Sequence, residues 1–168
     1  MAQVTSSGSI KRPLEEVRQQ FADMASHAAA GVHAAVRFTI VSRDERHCRY
    51  RQEVTLLGMR QADDLLNTWL PDGSLHSEAV AGTNQGLRVL DRFAGNANLA
   101  TVWATFEIPA RGVKRWIAPL FKLVAQRALR KAFEEDRRDL KSGAYARYRA
   151  RAADAAWSIV QYWLARWD

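Results

Sequence analysis

The feature that most constrains this chain is a change of hydrophobic period, from helical to alternating and back to helical. In "SIKRPLEEVRQQFADM", residues 9–24, Leu14, Val17, Phe21 and Met24 recur at the 3, 4, 3 spacing of one buried helix face. Pro13 suits the first turn of that helix. The preceding "QVTSSGSI" reads as a short strand. After Gly31 the period becomes two: Val36, Phe38 and Ile40 alternate with Arg37, Thr39 and Val41. Cys48, Tyr50, Gln52, Val54 and Leu56 then alternate with Arg49, Arg51 and Glu53. "PDG", "GTNQG" and "GNAN" punctuate the later segments as turns. The result is about six consecutive strands at short spacing, the pattern of an antiparallel meander.

From Val113 to about Ser142 the helical period returns, with Pro119 near the start and Gly143 as a C-terminal stop. The predicted class is α+β, a curved antiparallel sheet of about six to seven strands wrapped around a long C-terminal helix. At 168 residues the chain suits one compact domain with a real core. We divide it into residues 1–143, the main domain, and 144–168, a helical extension packed on it.

Composition narrows the function classes. No run approaches the roughly 20 apolar residues that span a bilayer, and the N-terminus lacks a signal-peptide core. The single cysteine, Cys48, fits a reducing compartment, so a cytoplasmic location is expected. The net charge of +7 points towards anionic partners. Yet "FEEDRRDLK" mixes the signs, and there is no zinc-finger spacing or RNA-binding aromatic signature, so no nucleic-acid partner is expected. "GTNQG" neither follows a suitable strand nor opens a helix, and no Gly-x-Ser-x-Gly elbow occurs. Cys48 reads as a structural thiol, and His47 and His76 as surface or packing residues.

The order of elements, with "SIKRPLEEVRQQFADM", the "PDG" hairpin and "RALRKAFEEDRRDLKSGAY" at the end of the long helix, resembles the START-like, or SRPBCC, superfamily and its helix-grip fold. That group includes polyketide cyclases and aromatases, lipid-transfer domains and pollen-allergen-like proteins. The resemblance implies a hydrophobic cavity between sheet and long helix that takes a hydrophobic small molecule or lipid. It implies, as the alternative, a polyketide cyclase/aromatase-like enzyme. The strand alternation supplies lining candidates: Tyr50, Gln52, Asn67, Trp69, Thr101, Trp103 and Thr105, on faces shared with Val54, Leu65 and Leu99. The long helix adds Phe133 and Asp136.

Two clusters are open to more than one reading. His27 and His33 are six residues apart, so on one continuous helix they would differ by about 240°. Gly31 breaks that helix, which leaves convergence possible. The catalytic domains of Rieske-type oxygenases share the helix-grip fold and hold mononuclear iron with two histidines and a carboxylate; the resemblance assigns His27, His33 and Asp136. Five residues lie between these histidines where those oxygenases have four, and the Cys-x-His pairs of a Rieske cluster are missing. The other reading is a helix end and a strand start without a metal, and no cofactor is the leading expectation, with Fe the alternative.

On the long helix, Asp136 shares a side with Leu129, Phe133 and Leu140, while Asp139 lies on the arc of Phe121, Ala128 and Ala132. Acids so close to a helix C-terminus oppose its dipole and need partners. Arg37, Arg49 and Arg92 are the expected partners, in a structural salt bridge or a polar anchor at the cavity end. In the tail, Trp157, Val160, Leu164 and Trp167 recur at helical spacing near Trp163, behind Arg147, Arg149 and Arg151. This stripe suits packing on the domain, a homodimer, or a membrane surface.

Overall fold

The computed structural model describes residues 2–56, 58–109 and 118–152. The expected start of the long helix at 113–117 and the tail tryptophans lie outside them. β1 (Ala2–Ile10) leads to α1 (Leu14–Ala22) and α2 (Met24–Ala30). Six strands follow: β2 (Val36–Arg43), β3 (His47–Leu56), β4 (Met59–Trp69), β5 (Leu75–Gly82), β6 (Arg88–Gly95) and β7 (Ala100–Ile108). The long helix α3 covers Ala118–Ser142. Helical turns resume over 144–152 after Gly143, which takes a left-handed φ of 69°.

The seven strands form one sheet in the order β1-β7-β6-β5-β4-β3-β2, antiparallel at every pairing. Short turns connect neighbours from β2 to β7, and β1 closes beside β7 in the register Val4↔Phe106 and Ile10↔Ala100. The register skips Val41 of β2, opposite Tyr50 and Arg49, and Val80 of β5, opposite Asp64 and Leu65. Such bulges bend a strand and increase its twist. The sheet grips α3 on its concave side, which is the helix-grip arrangement.

The apolar period expected between Leu14 and Met24 does not run through one helix. Asp23 ends α1 and starts α2, its carboxylate accepting from the Ser26 amide at 3.2 Å. A side-chain acceptor at this position satisfies an amide that has no partner within the helix. The break separates Met24 from Val17 and Phe21, and the core divides with it. Val17 packs with Ile10, Ala100, Val102 and Leu140, whereas Met24 packs with Cys48, Tyr50, Leu65 and Ala79. Tyr145, beyond Gly143, belongs to the first of these clusters and is buried.

α3 approaches β1 closely at Gly8. A Cβ there would overlap the ring of Phe133. Gly8→Ala therefore forces Phe133 or α3 to move, and overpacking of this kind costs about 1–3 kcal/mol. Urea denaturation should show that loss, and the Gly8→Ala/Phe133→Leu pair should recover part of it. An unchanged midpoint in the single variant would mean that the helix does not rest on β1 there.

Candidate functional site

Asp136 brings three otherwise separate segments together. It is 6% exposed, on the inward side of α3, and its Oδ1 is the meeting point. Gln20 of α1 donates to it from Nε2 at 3.1 Å. His27 Nε2 of α2 lies 3.0 Å away, and His33 Nε2, past the end of α2, lies 3.5 Å away. The two imidazoles stack with centroids 5.2 Å apart and planes inclined by 16°.

What folds the histidines together is the α2 terminus. Gly31 adopts the left-handed conformation at φ 59° and ψ 40°, turning the chain so that His33 comes back alongside His27. A residue without a Cβ enters that region at little cost. The other nitrogen of each ring is also held. His27 Nδ1 donates to the Asp23 carbonyl at 2.9 Å, and His33 Nδ1 lies 3.0 Å from Glu135 Oε2.

Burial disfavours a charged His27. The Asp136 hydrogen bond and charge, the Asp23 carbonyl and the charge of Asp139 together outweigh it and raise the pKa above its ordinary value. Asp139 is raised by burial, against a hydrogen bond donated by Gln20 at 3.4 Å and the nearby His27. Histidines and a glutamine thus fill the role expected of strand arginines. Arg49 instead pairs with Asp64 at 3.4 Å on the outer face.

This cluster forms part of the wall of a cavity of about 190 Å³ between the sheet and α3. Phe21, Met24, Phe38, Leu65, Val102 and Phe106 supply apolar wall. Tyr50, Gln52, Asn67, Ser77, Asp91 and Asp136 supply its polar groups. The Tyr50 hydroxyl is pushed strongly upward by burial, with Asn67 and Ser77 as hydrogen-bonding neighbours, so it stays protonated. Asn67 Oδ1 and Gln20 Oε1 are buried and accept no hydrogen bond from a described residue.

Of the lining candidates, Tyr50, Gln52, Asn67, Phe133 and Asp136 lie on this cavity. Trp69 lies on a second, polar cavity of about 220 Å³ that shares Asn67 and Leu75 with the first, and it carries the Arg18 guanidinium 5.3 Å from its ring centroid. Thr101, Trp103 and Thr105 are corrected to the outer face: Trp103 is 40% exposed and Thr101 bonds Ser9 at 3.0 Å. The inward row of β7 is Ala100, Val102, Ala104 and Phe106, in register with Ile10, Gly8, Ser6 and Val4. Since side chains alternate, a slip of one residue moves a whole row to the other side.

Asp91 was not among the candidates. It occupies an inward position of β6, between Val89 and Phe93, and its signal in the sequence is an acid in an otherwise apolar alternate row. Burial, then the charge of Asp136, push its pKa up to about 7. No helix of the described residues is long and apolar enough to cross a membrane.

Solved structures match this arrangement closely in shape and distantly in sequence. A protein of Thermus thermophilus superposes at TM-score 0.74 with 13% identity, over 84% of this chain and 99% of that one. The Zhui aromatase/cyclase from a Streptomyces species follows at TM-score 0.70 and 12% identity, over 85% and 95%. A START superfamily protein from Mycobacterium smegmatis gives 0.68 and 10%, over 83% and 97%. No protein-family model matches the sequence, and no curated protein does. The chain therefore has the START-like fold; at these identities the likeness concerns the fold alone.

The pH dependence of Asp91 has a defined sign. Its unfolded carboxyl titrates at about pH 4, and its folded one at about 7. Between those limits the folded chain keeps a proton that the unfolded chain has lost, so this group lowers stability as pH rises. Asp91→Asn should raise Tm at pH 8 by several degrees and change it little at pH 4. Equal shifts at both pH values would show that the folded Asp91 carboxyl does not titrate near 7.

Proposed function

We propose that this protein binds a compact, largely apolar small molecule in the cavity between the sheet and α3. The observation that carries this reading is the composition of the wall: aromatic and aliphatic side chains around a few polar groups, one of them a buried acceptor, Asn67 Oδ1, with no described partner. Binding pockets have this character, apolar surface for affinity and sparse polar groups for orientation. A ligand hydroxyl or amide N–H near Asn67 would satisfy the orphaned oxygen, while the protonated Tyr50 offers a donor close by.

The volume restricts the ligand. An apolar cavity of roughly 150 Å³ holds benzene, and drug-sized ligands need about 300 Å³ or more. At about 190 Å³ the cavity suits one substituted ring or a short chain better than a whole lipid.

Acid–base catalysis on the bound molecule, of the ring-closing or dehydrating kind, is the second reading. Asp91 favours it, since a carboxyl with a pKa of about 7 accepts and returns a proton near neutrality. The aromatase/cyclase among the structural neighbours has the same fold.

Fluorescence titration with 1-naphthol tests the cavity. Ala104→Phe fills it from β7 and should weaken binding at least tenfold, while Thr105→Phe, on the outer face, should leave it unchanged. Equal affinity in wild type and Ala104→Phe would place the probe elsewhere and end the proposal.

A further inference from the structure

We propose that His27 Nε2, His33 Nε2 and the Asp136 carboxylate form a binding site for one divalent first-row transition-metal ion at the wall of the cavity. The three donor atoms lie within 4.8 Å of one another. Metal bonds of roughly 2.1 Å set neighbouring ligands about 3.0 Å apart at right angles and about 3.4 Å apart in a tetrahedron. The two histidine nitrogens stand 3.0 Å and 3.5 Å from Asp136 Oδ1, so a small closure of the rings completes the set.

The hydrogen bonds around the cluster favour a cation over a self-sufficient network. The Asp23 carbonyl can only accept, so His27 Nδ1 carries a proton. His33 Nδ1 likewise faces the Glu135 carboxylate. In neutral rings both Nε2 atoms then direct lone pairs at the same carboxylate oxygen. One divalent cation satisfies all three donors together.

The outer hydrogen bonds have the pattern of a ligand shell. Metal-bound imidazoles donate their second nitrogen to a carbonyl or carboxylate, which fixes ring orientation. Here Asp23 supplies the carbonyl and Glu135 the carboxylate. Gln20, fully buried, donates to Asp136 and retains an unpartnered Oε1 beside the cluster. Two imidazoles and one carboxylate without a thiolate suit Zn²⁺, Fe²⁺ or Co²⁺ better than Mg²⁺ or Ca²⁺. All three ligands line the cavity, so the remaining coordination positions face it. The site stands independently of whether the cavity takes an apolar molecule.

The full-length chain, stripped with chelator and titrated with Co²⁺, tests this. One equivalent should bind with visible ligand-field absorption, raise Tm and be displaced by Zn²⁺. Asp136→Asn and His33→Ala should each weaken affinity about 100-fold or more, and Glu135→Gln, which keeps every ligand, about tenfold. Circular dichroism identifies which variants are folded, and Glu135→Gln carries the test if the ligand variants are not. Absence of saturable binding to folded wild type would overturn the proposal, as would affinity unchanged in the folded variants.

Discussion

A carboxylate carried into the interior by a long helix governs this molecule. Buried charge is tolerated only when paired and hydrogen-bonded, and Asp136 draws its partners from α1, α2 and the loop beyond. The short helices are thereby tied to α3 at the point where the sheet opens away from it. Asp23 contributes twice, its side chain starting α2 and its carbonyl orienting His27. The polar cluster and the architecture depend on the same few hydrogen bonds.

The cavity follows from the same arrangement. A curved sheet cannot follow the surface of a cylinder everywhere, and α3 touches it most closely at β1. Further along, Tyr50, Leu65, Val89 and Phe106 line a space that no described side chain fills. Asp91 sits in that space with no basic partner among the described residues, and burial and the charge of Asp136 raise its pKa.

Much of this was legible in the sequence. The alternation from Val36 onwards, with its turn residues, gave the meander because solvent wets one face of these strands and not the other. Two things were harder to read. On β7 Trp103 stands in the odd-numbered row with Thr101 and Thr105, whereas Ala100, Val102, Ala104, Phe106 and Ile108 form an unbroken apolar row on the other side. The pairing of His27 with His33 depends on a left-handed turn at Gly31 and on Asp136, more than 100 positions away in sequence. Spacing alone places the two rings on different sides of a helix, and only long-range packing brings them together.

The contact between Gly8 and Phe133 has a further consequence. Phe133 is part of the cavity wall, but what sets its position is a strand residue with no side chain. The shape of the cavity can therefore drift, or be redesigned, through a position outside its wall. A substitution there displaces the ring, or α3 with it, and alters the volume. The size of the cavity and the chemistry of its wall are written in separate parts of the chain.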